Sequence, residues 1–148
     1  FGYGDNYHPN NSHVVPALIK KIHHAKLINK KIEIWGSGKP KRDFLFVEDF
    51  ASVVEKVLRI SKKNFFNKNS NHNHLNVGSS KEISIKDLAK LICEVVGYNE
   101  KLIFNTKMPD GTMKKLLDTK KLKRIIKFKQ TNLKKALKLT YLDYLKKN

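Results

Sequence analysis

Arg42 is the side chain of this 148-residue sequence best suited to hold an anionic ligand. It is one of three arginines beside 28 lysines, and it follows a turn that contains Gly36 and Gly38. A guanidinium offers a planar fork of five donors that fits phosphate or carboxylate, which an ammonium group cannot reproduce. The segment then runs to Glu48 and Asp49, carboxylates typical of the first turn of a helix. The pattern predicts an anion-binding arginine, and the alternative is a surface charge on a plain hairpin.

His13 is the residue best placed for proton transfer. It lies where a loop rich in Gly, Asp, Asn and Pro, residues 1–12, meets a predicted helix that Ser12 would cap and that would end near Ala25. Imidazole titrates near neutral pH, and the amides at a helix N-terminus favour an anion. His13 therefore suits general acid–base chemistry, and the alternative is a surface histidine.

The elements that must position these side chains alternate between short strands and helices, which is typical of an α/β fold with a small, incomplete sheet. Strands are predicted at 32–35, 44–47, 75–77 and 102–104, and helices at 12–25, 49–60, 85–96, 118–126 and 132–146. Ser84 and Asp87 predict a capping box for the third of these helices, and Gly97 predicts its end. The Asn-rich segment 61–74 and residues 105–113 are predicted loops.

The sequence opens with Phe1, inside a loop motif and without a methionine. We therefore expect the chain to be the C-terminal piece of a longer protein. The apolar stripe of the first helix would then be partly uncovered, because its packing partners would lie on the missing part. That stripe consists of Val15, Leu18, Ile19 and Ile22.

The net charge of +18 raises the possibility of nucleic-acid binding, because basic surfaces attract phosphate backbones. The excess is almost entirely lysine scattered along every predicted helix, and it accompanies 14 asparagines. Aromatic residues are not interleaved with the basic ones, as a base-stacking surface would require. The charge therefore argues for an anionic small substrate more than for nucleic acid.

Cysteine and histidine placement gives no sign of a disulfide or a metal centre. Cys93 is the single cysteine, which excludes an internal disulfide and favours a reducing compartment such as the cytoplasm. Its neighbours Leu91 and Ile92 place it in a predicted core as an inert thiol. His72 and His74 lack a cysteine or acidic partner. No apolar run approaches the length of a membrane helix.

The segment from Trp35 to Asp49 resembles the substrate-domain signature of the extended short-chain dehydrogenase/reductase family, which acts on nucleotide-linked sugars. Two further blocks, Gly4 to Ile19 and Lys107 to Asp118, are similar to the members that epimerise and reduce GDP-4-keto-6-deoxymannose with NADPH. The resemblance extends from Phe1 to about Leu145. It implies that residues 1–148 form the C-terminal substrate-binding domain of a cytoplasmic homodimer, with the N-terminal dinucleotide-binding domain absent from this chain.

The resemblance also implies roles for individual residues. His13 matches the family's acid and would contact NADPH, Lys21 and Arg42 would lie near the diphosphate and ribose, Trp35 would flank the nucleotide, and Asp110 would accept hydrogen bonds from it. The alternatives are a solvated helix lysine for Lys21, a core tryptophan and a turn aspartate.

Several family features differ or are missing. Lysines stand at positions 21 and 114, where the family has arginine, and the sequence has neither a glycine-rich dinucleotide motif nor a Tyr-x-x-x-Lys pair. This chain alone is therefore expected to be inactive. Two alternatives stay open: another NAD-dependent nucleotide-sugar epimerase or dehydratase, and a basic module that binds nucleic acid or another polyanion.

Overall fold

The computed structural model describes residues 1–66 and 74–147, which form six helices and five short strands. The helices are α1 (Val14–Leu27), α2 (Val47–Leu58), α3 (Lys62–Phe65), α4 (Ile85–Val96), α5 (Lys120–Ile125) and α6 (Leu133–Lys147). The strands are β1 (Ile32–Trp35), β2 (Lys41–Asp43), β3 (Glu82–Ser84), β4 (Leu102–Asn105) and β5 (Lys114–Lys115). None of these helices is long and apolar enough to cross a membrane.

The strands form two small sheets, which confirms the predicted α/β class. β1 and β4 pair in parallel, with Trp35 opposite Asn105. In the second sheet β2 lies between β3 and β5, antiparallel to the first and parallel to the second, and Arg42 is opposite Ile83 and Lys115. The turn between β1 and β2 therefore joins the two sheets and brings the end of one strand near the start of the other.

The main core is formed by α1, α4 and α6 around β1. Ile19 and Ile22 of α1, Leu88 and Ile92 of α4, and Leu137 of α6 are fully buried in it. The expectation that the α1 stripe would be partly uncovered is therefore wrong. Helix α4 covers this stripe, so the face of α1 that carries the core is complete within this chain.

The uncovered apolar face belongs to α2 instead. One side of this helix contributes Val53 to a second, smaller core with Leu122 and Ile126. Another side leaves four large apolar side chains exposed, which we call the α2 stripe. Its members are Val47, Phe50, Val54 and Leu58, with exposed fractions of 40%, 47%, 41% and 81%.

Several predicted boundaries are wrong. The strand expected at 44–47 does not form; β2 lies just before it, and Phe46 occupies the N-cap position of α2. The strand expected at 75–77 is also absent, whereas the polar strands β3 and β5 were missed. These strands lack the alternation of apolar and polar residues by which a strand is predicted from sequence. They form because their backbones pair with β2.

The helix termini show which capping residues were predicted correctly from the sequence. The Ser84 hydroxyl accepts a hydrogen bond from the Asp87 amide at 3.0 Å, and Gly97 ends α4 with φ of 72°, so the predicted N-cap and helix end are confirmed. The Asp87 carboxylate accepts from the Ser84 hydroxyl at 2.6 Å and not from the Ser84 amide, so the predicted capping box forms only in part. At α1 the N-cap position belongs to His13 and not to Ser12. Short helix α3 lies in a predicted loop and is capped by Ser61.

A leucine-to-alanine substitution should affect the free energy of unfolding differently on the covered face of α1 and on the uncovered face of α2. We expect Leu18→Ala to lower the free energy of unfolding by about 2–5 kcal/mol, because it removes buried methyl groups from the core. Leu58→Ala should change it by less than about 0.5 kcal/mol, because that side chain is already in solvent. Urea unfolding of the purified chain measures both values, and a similar loss at the two positions would contradict the assignment of the faces.

Candidate functional site

A cavity of about 690 Å³ lies between α1, the ends of β1 and β2, and the loop 109–111. All five residues singled out from the sequence line it. His13 and Lys21 come from α1, Trp35 from β1, Arg42 from β2 and Asp110 from the loop. Residues up to 97 positions apart in sequence, His13 and Asp110, therefore share one site. Their individual roles stay predictions.

His13 faces this cavity from the start of α1. Its backbone is extended, with ψ of 168°, and its carbonyl accepts the Ala17 amide at 3.0 Å, which begins the helix. The imidazole makes no capping hydrogen bond and is exposed. The ring nitrogens are therefore not used in capping the helix. A proton-transfer group at a cavity wall needs its nitrogens available in this way.

Arg42 is held by strand pairing on both sides. Its Nη1 atom donates a hydrogen bond to the Lys41 carbonyl at 2.7 Å, and a side chain at Gly111 would place its Cβ 3.2 Å from Nη2. The absence of a side chain at Gly111 therefore lets loop 109–111 lie against the guanidinium. Lys21 adds a second cation on the α1 wall, so two positively charged groups line one apolar cavity.

Lys114 stands at the second position where arginine was expected, and its contact is with a carboxylate of the second sheet. With Lys41 it flanks Glu82 of β3, at 3.3 and 3.2 Å, and these two hydrogen-bonded cations lower the pKa of the Glu82 carboxyl. Both lysines are more than half exposed, so each ion pair contributes little to stability. Lys114 is not among the residues that line the cavity.

Asp110 connects its loop to the turn between the two sheets. Its Oδ1 accepts the Ser37 amide at 2.8 Å and its Oδ2 accepts the Ser37 hydroxyl at 2.6 Å, and these bonds lower the pKa of Asp110. Gly36 has φ of 80°, and a Cβ there would lie 2.3 Å from Oδ1. The turn must therefore have glycine at this position for the carboxylate to approach. Sequence reasoning missed Ser37, although it stands between two glycines.

Asp43 is a second carboxylate that the sequence did not single out. It accepts the amides of Ser79 and Ser80 at 2.9 and 3.2 Å and also the Ser79 hydroxyl. A Cβ at Gly78 would lie 2.7 Å from its Oδ2. Asp43 therefore ties segment 78–80 to the end of β2, next to Arg42. The signal that could have identified Asp43 from the sequence was its position directly after Arg42.

Trp35 is not a core tryptophan, because 67% of its surface is exposed. It follows the buried Ile34 at the end of β1 and lines the cavity together with Phe44 and Pro109. An exposed indole at a cavity wall offers a flat apolar face on which a planar ring can stack. This geometry suits the predicted contact with a nucleotide.

The glycine turn between β1 and β2 differs from a dinucleotide-binding turn. The Gly36–Gly38 turn leads into β2 and not into a helix, so it lacks the helix N-terminal amides that hold a pyrophosphate. Within residues 1–66 and 74–147 no three His, Cys, Asp or Glu side chains could share a metal ion, and His72 lies outside these residues. Cys93 is buried, as predicted, and burial raises its pKa to about 11.

The sequence profile of the NAD dependent epimerase/dehydratase family matches residues 1–78, and the chain belongs to this family. Over 147 residues it is 40% identical to GDP-L-fucose synthase 1 of Arabidopsis thaliana, covering 99% of this chain and 43% of that protein. The chain thus spans less than half the length of this curated relative.

Solved structures give the same picture. A GDP-L-fucose synthetase of Naegleria fowleri bound to NADP superposes with a TM-score of 0.83 at 29% identity, over 99% of this chain and 44% of that one. A GDP-6-OMe-4-keto-L-xylo-heptose reductase of Campylobacter jejuni gives 0.90 at 29% identity, over 100% and 52% of the two chains. The α/β fold of this chain is therefore that of about half of such an enzyme.

The Asp110–Ser37 bridge predicts an acid-labile loop. Because the folded-state pKa of Asp110 lies below its usual 3.8, the bridge contributes stability above that value and loses it as pH falls through the folded pKa. We expect Ser37→Ala to move the NMR titration midpoint of the Asp110 carboxyl upward toward 3.8. Ser52→Ala, on α2, is the matched control and should leave the midpoint unchanged. An unaltered midpoint in the Ser37 variant would refute the bridge.

Proposed function

We propose that this chain is the substrate-binding half of GDP-L-fucose synthase, an NADPH-dependent enzyme that epimerises and reduces GDP-4-keto-6-deoxy-D-mannose. The observation that carries the proposal is the convergence of His13, Lys21, Trp35, Arg42 and Asp110 on one cavity. Similarity over nearly the whole chain to proteins named GDP-L-fucose synthase supports it.

Two features of the cavity suit a sugar nucleotide: a pair of cationic side chains and an exposed indole ring. Arg42 and Lys21 are cations at neutral pH, and a guanidinium can bind a diphosphate oxygen through two N–H groups. Trp35 can stack on the base, and the carboxylate of Asp110 retains acceptor capacity beyond its two bonds to Ser37. The part of the cavity near His13 would then receive the sugar.

His13 would act as the acid of the epimerisation. A base removes the proton from a carbon beside the ketone, and the electron pair moves to the carbonyl oxygen to give an enolate. A ring nitrogen of protonated His13 then gives a proton to the opposite face of that carbon, which inverts it and leaves the imidazole neutral. The base is proposed to belong to the part of the complete protein outside residues 1–148.

The dinucleotide-binding domain would also precede residues 1–148. NADPH, when bound there, supplies the hydride that reduces the 4-ketone, and His13 is the one residue of this chain proposed to contact it. The chain alone is consequently proposed to be inactive, and the cytoplasmic homodimer is proposed for the complete protein.

A second candidate is a reductase of another GDP-linked 4-keto sugar. The superposition with the C. jejuni heptose reductase favours it. Such an enzyme need not exchange protons beside the ketone. Deuterium incorporation from solvent into GDP-4-keto-6-deoxymannose, measured with the complete polypeptide, separates the two candidates: exchange at both neighbouring carbons supports the epimerase, and reduction without exchange supports the reductase.

Arg42 should contribute strongly to GDP-sugar binding. In the complete polypeptide, Arg42→Ala is expected to raise the dissociation constant of GDP about ten- to a hundredfold, because a charge-assisted hydrogen bond is lost. Arg59→Ala is the matched control, since Arg59 is exposed on α2 and pairs only with Glu55 at 2.6 Å among the described residues. Calorimetric titration measures both. Tighter binding of duplex DNA than of GDP, with a steep salt dependence, would favour the polyanion-binding alternative.

His13 should affect epimerisation more than reduction. We expect His13→Gln in the complete polypeptide to slow solvent-deuterium exchange about 10²–10⁴-fold, because general acid catalysis is lost. Hydride transfer to an already epimerised ketone should be much less affected. His24→Gln, an exposed histidine on the same helix, is the control. Exchange at the unaltered rate in the His13 variant would exclude the catalytic role.

A further inference from the structure

Asp5 is a third carboxylate on the wall of the cavity, and it is half-buried there. The other two, Asp43 and Asp110, each use both carboxylate oxygens to join two segments of the chain. In Asp5 only Oδ1 is used in this way, because it accepts the Asn6 amide at 2.8 Å. Its Oδ2 has no hydrogen bond or ion pair among residues 1–66 and 74–147. One oxygen of Asp5 is therefore available to a ligand in the cavity.

The loop that carries Asp5 is folded back against the start of α1. The Nδ2 atom of Asn6 donates to the Asn11 carbonyl at 3.2 Å, and its Oδ1 accepts the His8 amide at 2.9 Å. These bonds bring the residue after Asp5 next to a residue that lies two positions before His13. Asp5 therefore reaches the cavity where α1 begins, which is also where His13 lies.

Helix α6 holds the same loop from its other side. The Oδ2 atom of Asp143 accepts the amide of Gly4, the residue directly before Asp5, at 2.9 Å, and this bond lowers the pKa of the Asp143 carboxyl. The ring of Tyr7 packs on that of Tyr144, with centroids 4.6 Å apart. Because α6 is itself anchored in the main core, the backbone on both sides of Asp5 is attached to a fixed element.

The charge of Asp5 determines which part of a sugar nucleotide it can contact. A diphosphate is repelled by a carboxylate and is matched instead by the cations of Arg42 and Lys21 on the same cavity wall. The sugar is uncharged, and its hydroxyl groups donate hydrogen bonds that an ionised carboxylate accepts. Such bonds to a charged acceptor are stronger than bonds between neutral groups.

We propose that Asp5 binds a hydroxyl group of the sugar in a GDP-sugar, and that Asp143 of α6 is a positioning residue that acts on Asp5 through the Gly4 amide. The inference rests on the proposed function for the identity of the ligand. It adds a binding residue to the part of the cavity near His13. It also gives the contact between α6 and the loop a role in recognising the sugar.

Calorimetric titration of the complete polypeptide with GDP and with GDP-mannose tests the role of Asp5. We expect Asp5→Ala to raise the dissociation constant of GDP-mannose about ten- to a hundredfold, because a hydrogen bond to a charged acceptor is lost. The dissociation constant of GDP should stay the same, since GDP has no sugar at this place. Asp5→Asn retains an acceptor oxygen and should lose less affinity than Asp5→Ala. Glu94→Ala is the matched control, because Glu94 is exposed on α4 and pairs with Lys134 at 2.7 Å.

The same titrations test Asp143. We expect Asp143→Ala to raise the dissociation constant of GDP-mannose about threefold or more without changing that of GDP, because the loop must then be ordered on binding. Lys147→Ala is the control. Lys147 also pairs with Asp143, at 2.9 Å, so its removal takes away one partner of this carboxylate and leaves the bond to Gly4 in place. Equal effects of the two substitutions would overturn the positioning role.

The ratio of the two dissociation constants separates this inference from the proposed function. An unchanged ratio in Asp5→Ala, or a parallel loss of GDP and GDP-mannose, would overturn the contact with the sugar. If Arg42→Ala still weakens GDP binding in that case, the proposed function is retained and only this inference fails. Binding of neither ligand to the unaltered polypeptide would refute the proposed function and this inference with it.

Discussion

The packing of α1 against α4 and β1 is the interaction on which the rest of the structure depends. The buried side of α1 supplies Ile19 and Ile22 to the main core. The other side carries His13 and Lys21 to the cavity. Because a helix is rigid, burying one face fixes where the other points. The energy of apolar burial therefore positions His13, the proposed acid, and Lys21 at the cavity.

The remaining cavity residues depend on two carboxylates that are already hydrogen-bonded. Asp110 binds Ser37, and Asp43 binds the segment that contains Ser79. Each carboxylate joins a loop to one side of the turn between the sheets. Both carboxylates line the same cavity as Arg42 and Lys21, and no ion pair joins either of them to Arg42 in the described structure.

The two cores of the fold differ in how fully their helices are covered. The core around α1, α4 and α6 is covered on every side that carries large buried side chains, whereas α2 contributes Val53 to a small core and exposes the α2 stripe. When one apolar side of a helix is buried and another faces solvent, only the packing of the buried side stabilises the helix. The site residues have the same division: His13, Lys21 and Arg42 line the cavity, but the Gly36–Gly38 turn leads into a strand and not into a helix.

Local sequence signals determined the elements whose ends they define. Ser84, Asp87 and Gly97 fixed the bounds of α4, and the alternation of Ile32 and Ile34 located β1, because capping bonds and side-chain alternation act within a few residues. The resemblance to the family also identified five residues that line one cavity.

Tertiary structure decided what depends on distant partners. The polar strands β3 and β5 exist only through pairing with β2, and residues 44–47 form a single rung with Phe1 and no strand. The exposure of Trp35 and of the α2 stripe could not be read from hydrophobicity, since burial requires a covering surface as well as an apolar side chain. The roles of Ser37 and Asp43 likewise arise from contacts across 73 and 36 residues of sequence, which no local pattern encodes.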